Sequence, residues 1–172
     1  MHRTRLIHVL PLLFTLLFVR SSFAAEFNQQ DKNSQTNGNM LIAIDKVQKT
    51  KPEDLVKSAQ PMSASDVTKK IYTTLGKAVK LSGKVYKVEE MPPNDLFPGT
   101  WTEVLIMAKN QNAPLGVTTI DFIYQGDSSK INAKDVVTCT GYLVGMHDSE
   151  NAYGGKVEAI VLVGNHFEKK GK

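Results

Sequence analysis

Few residues of this 172-residue chain are of types that do chemistry, and their spacing limits what they can do. Of four histidines, His2 and His8 fall in the N-terminal segment, leaving His147 and His166. His147 opens the run His147-Asp148-Ser149-Glu150, a string of nitrogen and oxygen donors ahead of Asn151 and Gly154-Gly155. Adjacent residues seldom converge on one ion without distant partners, so this run reads as a solvated hairpin tip. No metal ligand set and no other cofactor is assigned. Neither histidine has a serine or cysteine nucleophile in a recognisable context, and no phosphate-binding glycine loop or dinucleotide fingerprint occurs. Glu89 and Glu90 are adjacent, so in a strand they point to opposite faces and form no carboxylate pair. Asp121 lies in a β-branched and aromatic stretch, but a nuclease built around it would also want cationic groups for the phosphoryl transition state. The chemistry on offer is binding, and no catalytic residue is assigned. Activity lost with His147→Ala or Asp121→Ala would be the mark of an enzyme.

Arginine is the natural cation for such work, and its distribution is uneven. Arg3, Arg5 and Arg20 are the only three, and all precede residue 25. That stretch has the parts of a secretory signal: a basic start, an apolar run from Leu6 to Val19, and Ser22-Phe23-Ala24 before the expected cleavage. The apolar run is short for a membrane span, and no second stretch is long enough to be one. The chain is therefore expected to be periplasmic or secreted, without a membrane anchor after cleavage near Ala24. Cleavage would change the charge. The full chain carries 21 Lys+Arg against 17 Asp+Glu, whereas the remainder has 18 lysines, 17 acids and no arginine. Guanine and phosphate recognition lean on the arginine fork, so a charge-driven nucleic-acid partner is disfavoured. Cys139 is the one cysteine, which excludes an internal disulfide, and its apolar context predicts a buried thiol.

The elements that must position these residues can be read from pattern. Residues 25–61 are expected to form a flexible polar leader, rich in Asn and Gln, with a short apolar cluster at Met40 to Val47. Pro52 suits a first helical turn. A helix is expected over 63–76, with Ser63 or Ser65 as cap, an apolar stripe of Val67, Ile71, Thr74 and Leu75, and Gly76 as its end. From Lys77 the period becomes two, and five strands follow: 79–90, 101–109, 117–125, 136–146 and 156–165. Residues 128–135 leave room for a single helical turn, Gly154-Gly155 marks a hairpin, and 169–172 form a basic tail. Gly83, mid-strand, marks a bend or bulge.

Five strands, a helical insert after the third and a final hairpin match a five-stranded OB-fold Greek-key barrel, preceded here by an N-terminal helix. The segments Gly76-Lys77-Ala78-Val79-Lys80-Leu81-Ser82-Gly83-Lys84-Val85 and Val136-Val137-Thr138-Cys139-Thr140-Gly141-Tyr142 resemble the bacterial exported OB-fold proteins of the tRNA-anti-like kind. The resemblance spans 64 to 165 and implies the fold; its motifs are structural and imply no catalysis.

OB barrels bind across their second and third strands, between the first and last hairpin loops. Alternation places Val104, Ile106, Ala108, Ile120, Phe122 and Tyr124 inside. Trp101, Glu103, Leu105, Met107, Asp121, Ile123 and Gln125 then face outward as a contact surface, with Phe97, Asn151 and Tyr153 as rim contacts. The reverse register would make the same residues core. The leading expectation is a non-catalytic module that engages a protein or small ligand in the cell envelope or outside the cell. The alternative is single-stranded nucleic-acid binding through Lys80, Lys84, Tyr86 and Lys87.

Overall fold

The computed structural model describes residues 25–150 and 156–170. The expected signal segment, residues 1–24, lies outside these, as do Asn151, Tyr153, Gly154-Gly155 and the last two residues.

The two-residue alternation from residue 78 onward forms five long strands: β2 (Ala78–Met91), β3 (Trp101–Lys109), β4 (Val117–Gln125), β5 (Val136–Glu150) and β6 (Lys156–Lys169). A two-residue strand, β1 (Gln60–Pro61), lies parallel to the start of β2. β2 pairs antiparallel with β3, and β3 with β4; β4 runs parallel to β6, β6 antiparallel to β5, and β5 antiparallel back to β2. The ring is closed, with the parallel β4–β6 pair and the β5–β2 closure of an OB-fold barrel. Closure hinges on β2 serving two neighbours: Lys84 is opposite both Met107 of β3 and Val136 of β5. Beside it, a Cβ on Gly83 would lie 2.4 Å from the Met107 carbonyl oxygen, so only glycine lets the strands approach this closely. The register then slips between Val85 and Lys87, a bulge at Tyr86.

The barrel interior holds the alternation expected. Val104, Ile106, Ala108, Ile120 and Phe122 join Leu81, Val137, Leu143, Ile160 and Leu162, with Tyr124 partly buried against them. Cys139 is fully buried there, and burial pushes its thiol up to about 12. The helix expected over 63–76 is two pieces, α3 (Ala64–Lys69) and α4 (Ile71–Thr74), broken at Lys70, which leaves helical geometry. Ser63 caps it by accepting from the Asp66 amide, and Val67, Ile71 and Leu75 pack on the same core. Gly76 follows at φ 77°, the left-handed conformation that glycine adopts without strain. The insert after β4 is a 3-10 turn, Ser128–Lys130. β5 and β6 extend beyond the expected spans. Lys169, assigned to a tail, is the last residue of β6 and pairs with Asp135 at 2.7 Å.

Residues 25–61 differ most from expectation. They form an ordered strap with two helices, α1 (Asn39–Lys49) and α2 (Pro52–Ser58). Asn39 is fully buried; its amide donates to the carbonyls of Asn28 (2.9 Å) and Val144 (3.1 Å), and Asn37 donates to the same Val144 oxygen at 2.9 Å. The Ser34 amide donates to Met146 (2.9 Å) and the Met146 amide to Lys32 (2.7 Å), joining the strap to β5. The asparagines that make this segment look disordered are thus backbone-bonding anchors. Ala43, Ile44 and Val47 of α1 lie on Trp101, Ile123, Val144, Val161 and Val163, forming a second core outside the barrel. Burial of Ile44 and Val47 contributes roughly 1.5–3 kcal/mol each.

Candidate ligand-binding face

Strand register places the outward residues in rows across the barrel. One row runs Lys84, Met107, Thr119, Ala159, His147; the next runs Lys87, Leu105, Asp121, Val161; a third runs Glu89, Glu103, Ile123, Val163, Tyr142. The fourth is Met91, Trp101, Gln125.

The outward direction of these side chains agrees with the alternation, but outward is not exposed. Trp101 is fully buried and Ile123 is 5% exposed, because α1 and the loop before β3 cover them together with Val163, while Glu103 stays half-exposed at the edge of the cover. The Trp101 ring nitrogen donates to Pro98 at 3.0 Å. Phe97, expected on a rim, is itself buried, its ring edge-on to Trp101 with centroids 5.5 Å apart. These three residues are a core, not a contact surface. Gln125 is half-buried at the covered end.

The first two rows stay open on the β2–β3 side, whereas Ala159 and Val161 at their β6 end are buried. Met107 is 45% exposed and Leu105 half-buried, and at the β3–β4 turn Val117 and Leu115 continue the apolar strip. On the β2 side Lys84 and Lys87 are exposed, and the bulge presents Tyr86. Lys87 is paired with Glu89. Lys80 is half-buried and faces β5, opposite Thr140.

The structure also brings together three polar residues that sequence spacing keeps apart. His147, expected at a solvated tip, lies within β5 and is half-buried. Its Nε2 stands 4.0 Å from Oδ2 of Asp121, within ion-pair reach but beyond a hydrogen bond. Asp121 is only 8% exposed, and its Oδ1 has no hydrogen-bond partner. Burial, reinforced by the negative charge of Glu103, pushes the Asp121 carboxyl up to about 7. Burial also lowers the His147 pKa, opposed by Glu103 and Asp148. Glu103 sits diagonally across from Asp121, half-buried, so its field reaches both. No group of three His, Cys, Asp or Glu among the described residues is arranged to hold a metal ion. Each of the three was visible in the sequence; their convergence depends on the β3–β4, β4–β6 and β5–β6 pairings. The contacts of Tyr153 fall outside the described residues.

Ring order and the parallel closing pair define an OB-fold protein. No known family matches the chain, and no curated protein does. Among solved structures it is similar to the second OB-fold domain of replication protein A from Methanococcus maripaludis, at 10% identity and a TM-score of 0.37, covering 66% of this chain and 97% of that one. A small single-stranded DNA-binding protein from Streptomyces coelicolor matches at 9% identity and TM-score 0.38, covering 55% and 94%. A mitochondrial single-stranded DNA-binding protein from S. cerevisiae matches at 11% identity and TM-score 0.35, covering 55% and 94%. No helix among the described residues is long and apolar enough to cross a membrane.

Proposed function

We propose that this protein is an exported, non-catalytic OB-fold binding module that takes an extended protein segment on the open part of its outer face. The observation that supports this reading is the strip Leu105, Met107, Val117 and Leu115, left uncovered where α1 stops while Trp101 and Ile123 beside it are sealed. An uncovered apolar strip next to a covered one, on the face that OB barrels use, suits a partner that supplies the missing apolar contacts. Glu103 and Asp121 lie side by side on the β3–β4 part of the face, which suits a segment carrying a positive charge there. Export rests on residues 1–24, whose basic start, apolar run and small-residue exit suit a cleaved signal; the mass of the exported chain checks it. A photo-crosslinking amino acid at 107 should capture a discrete partner, and the same probe at Leu41, on the exposed side of α1, should not. Equal capture at both positions would remove the reading.

One observation favours a second ligand class. Lys84, Tyr86 and Lys87 set two cations and a ring side by side on β2, the pairing that tracks single-stranded nucleic acid. Oligonucleotide affinity that falls steeply with salt, and is lost in Tyr86→Ala, would establish this alternative; no affinity at low salt would end it.

A further inference from the structure

Among the described residues, two buried side-chain oxygens lack a hydrogen bond, and one of them is Asp121 Oδ1 on the floor of the open face. A buried carboxyl without donors is costly as an anion. Here it lies beside a second carboxylate, Glu103, and in reach of His147. The groups facing it are few. From β3 there is Glu103; from β5, His147, whose neighbour Asp148 alternates to the other face; from β6, the apolar Val161, with Glu158 opposite Asp148, on that other face, and tied to Lys32 of the strap. From β2, across Leu105, there is Lys87, already held by Glu89. Among the described residues no lysine is therefore committed to Asp121, and the way in passes the apolar rim of Leu105 and Met107.

We propose that Asp121, with Glu103 and His147, anchors a cationic group of the ligand, an ammonium or guanidinium on an apolar stem, and that docking of this cation displaces a proton held by Asp121. This rests on the reading of the open face as the binding surface. The stem lies on Leu105 and Met107, while the cation meets Asp121 Oδ2 and the Glu103 carboxylate. Oδ1, closed to solvent, gains no donor, which is why the free site keeps its proton. The balance is simple: the carboxyl O–H bond breaks, the proton goes to solvent directly or through His147, and one positive charge replaces another.

The test uses the full chain and two probes, n-octylammonium and n-octanol, which share a stem and differ in charge. Methyl resonances of Met107 report docking, and calorimetry at pH 6 in phosphate and in a high-ionisation-enthalpy buffer reports proton release. Octylammonium should move Met107 and release a proton, and it should bind more tightly at pH 8 than at pH 6. Asp121→Asn should abolish proton release and weaken octylammonium roughly tenfold or more, the loss of one charge-assisted hydrogen bond, while leaving octanol unchanged. If that variant does not fold, Glu103→Gln, at a half-exposed position, should weaken the preference for the ammonium in the same direction. Equal response to octanol and octylammonium without proton release overturns the cation anchor and leaves the face intact. No response of Met107 to either probe overturns both.

Discussion

Asp121 and His147 pull the pH dependence of stability in opposite directions. The Asp121 carboxyl rises from an ordinary 3.8 to about 7, so its proton favours the fold fully below pH 3.8, and that contribution is gone once pH passes 7. His147 is lowered from 6.5, so its neutral form favours the fold above 6.5 and the contribution is lost as pH falls. Urea midpoints measured from pH 4 to 8 should therefore show a downward trend from Asp121 that Asp121→Asn removes, with the isosteric amide more stable than the wild type at pH 8. An unchanged slope in the variant would mean that the carboxyl is not held neutral by burial. Asp121 was legible in the sequence as an acid on an outward strand position. Its burial was not, because no local pattern says which part of an outer face another element will cover.

At the scale of elements, the strap and α1 are the feature that composition misreads. Residues 25–38 are polar and aperiodic, which describes a disordered leader as well as a segment whose asparagines bond to carbonyls of a distant strand. Ala43, Ile44 and Val47 make too short a stripe to announce a docking helix, yet Trp101 and Ile123 give it a surface. Trp101→Ala should cost about 3–5 kcal/mol by opening a cavity under α1, and Asn39→Ala about 1–3 kcal/mol by leaving the Asn28 amide and carbonyl without their side-chain partner, while Asn37 still serves the Val144 carbonyl. Chemical denaturation measures both, and hydrogen exchange in Asn39→Ala should rise first in α1. A neutral Trp101→Ala would return this residue to the contact surface. The β-strands were legible almost to the residue for β3 and β4, since alternation and turn residues bound them tightly. β5 was read short because His147 to Glu150 is a polar stretch that belongs to a strand only through its pairing with β6.

For the molecule as a whole, barrel closure governs what solvent can reach. Cys139 lies inside the ring, so labelling by a thiol reagent should proceed at the rate of global opening and accelerate in Gly83→Ala, where a Cβ would meet the Met107 carbonyl at 2.4 Å. Fast labelling of the native wild type would show that the β2–β5 seam opens on its own. The sequence by itself determined the five long strands apart from the far ends of β5 and β6, their two-residue alternation, the glycine at the bend and the OB-fold order, because each follows from the period and turn chemistry of contiguous residues. Only the tertiary structure decided which outward residues are exposed, that the strap seals Trp101, Phe97 and Ile123, and that Glu103, Asp121 and His147 meet. Those facts depend on strand partners and a covering helix far apart in the chain, and no local period encodes them.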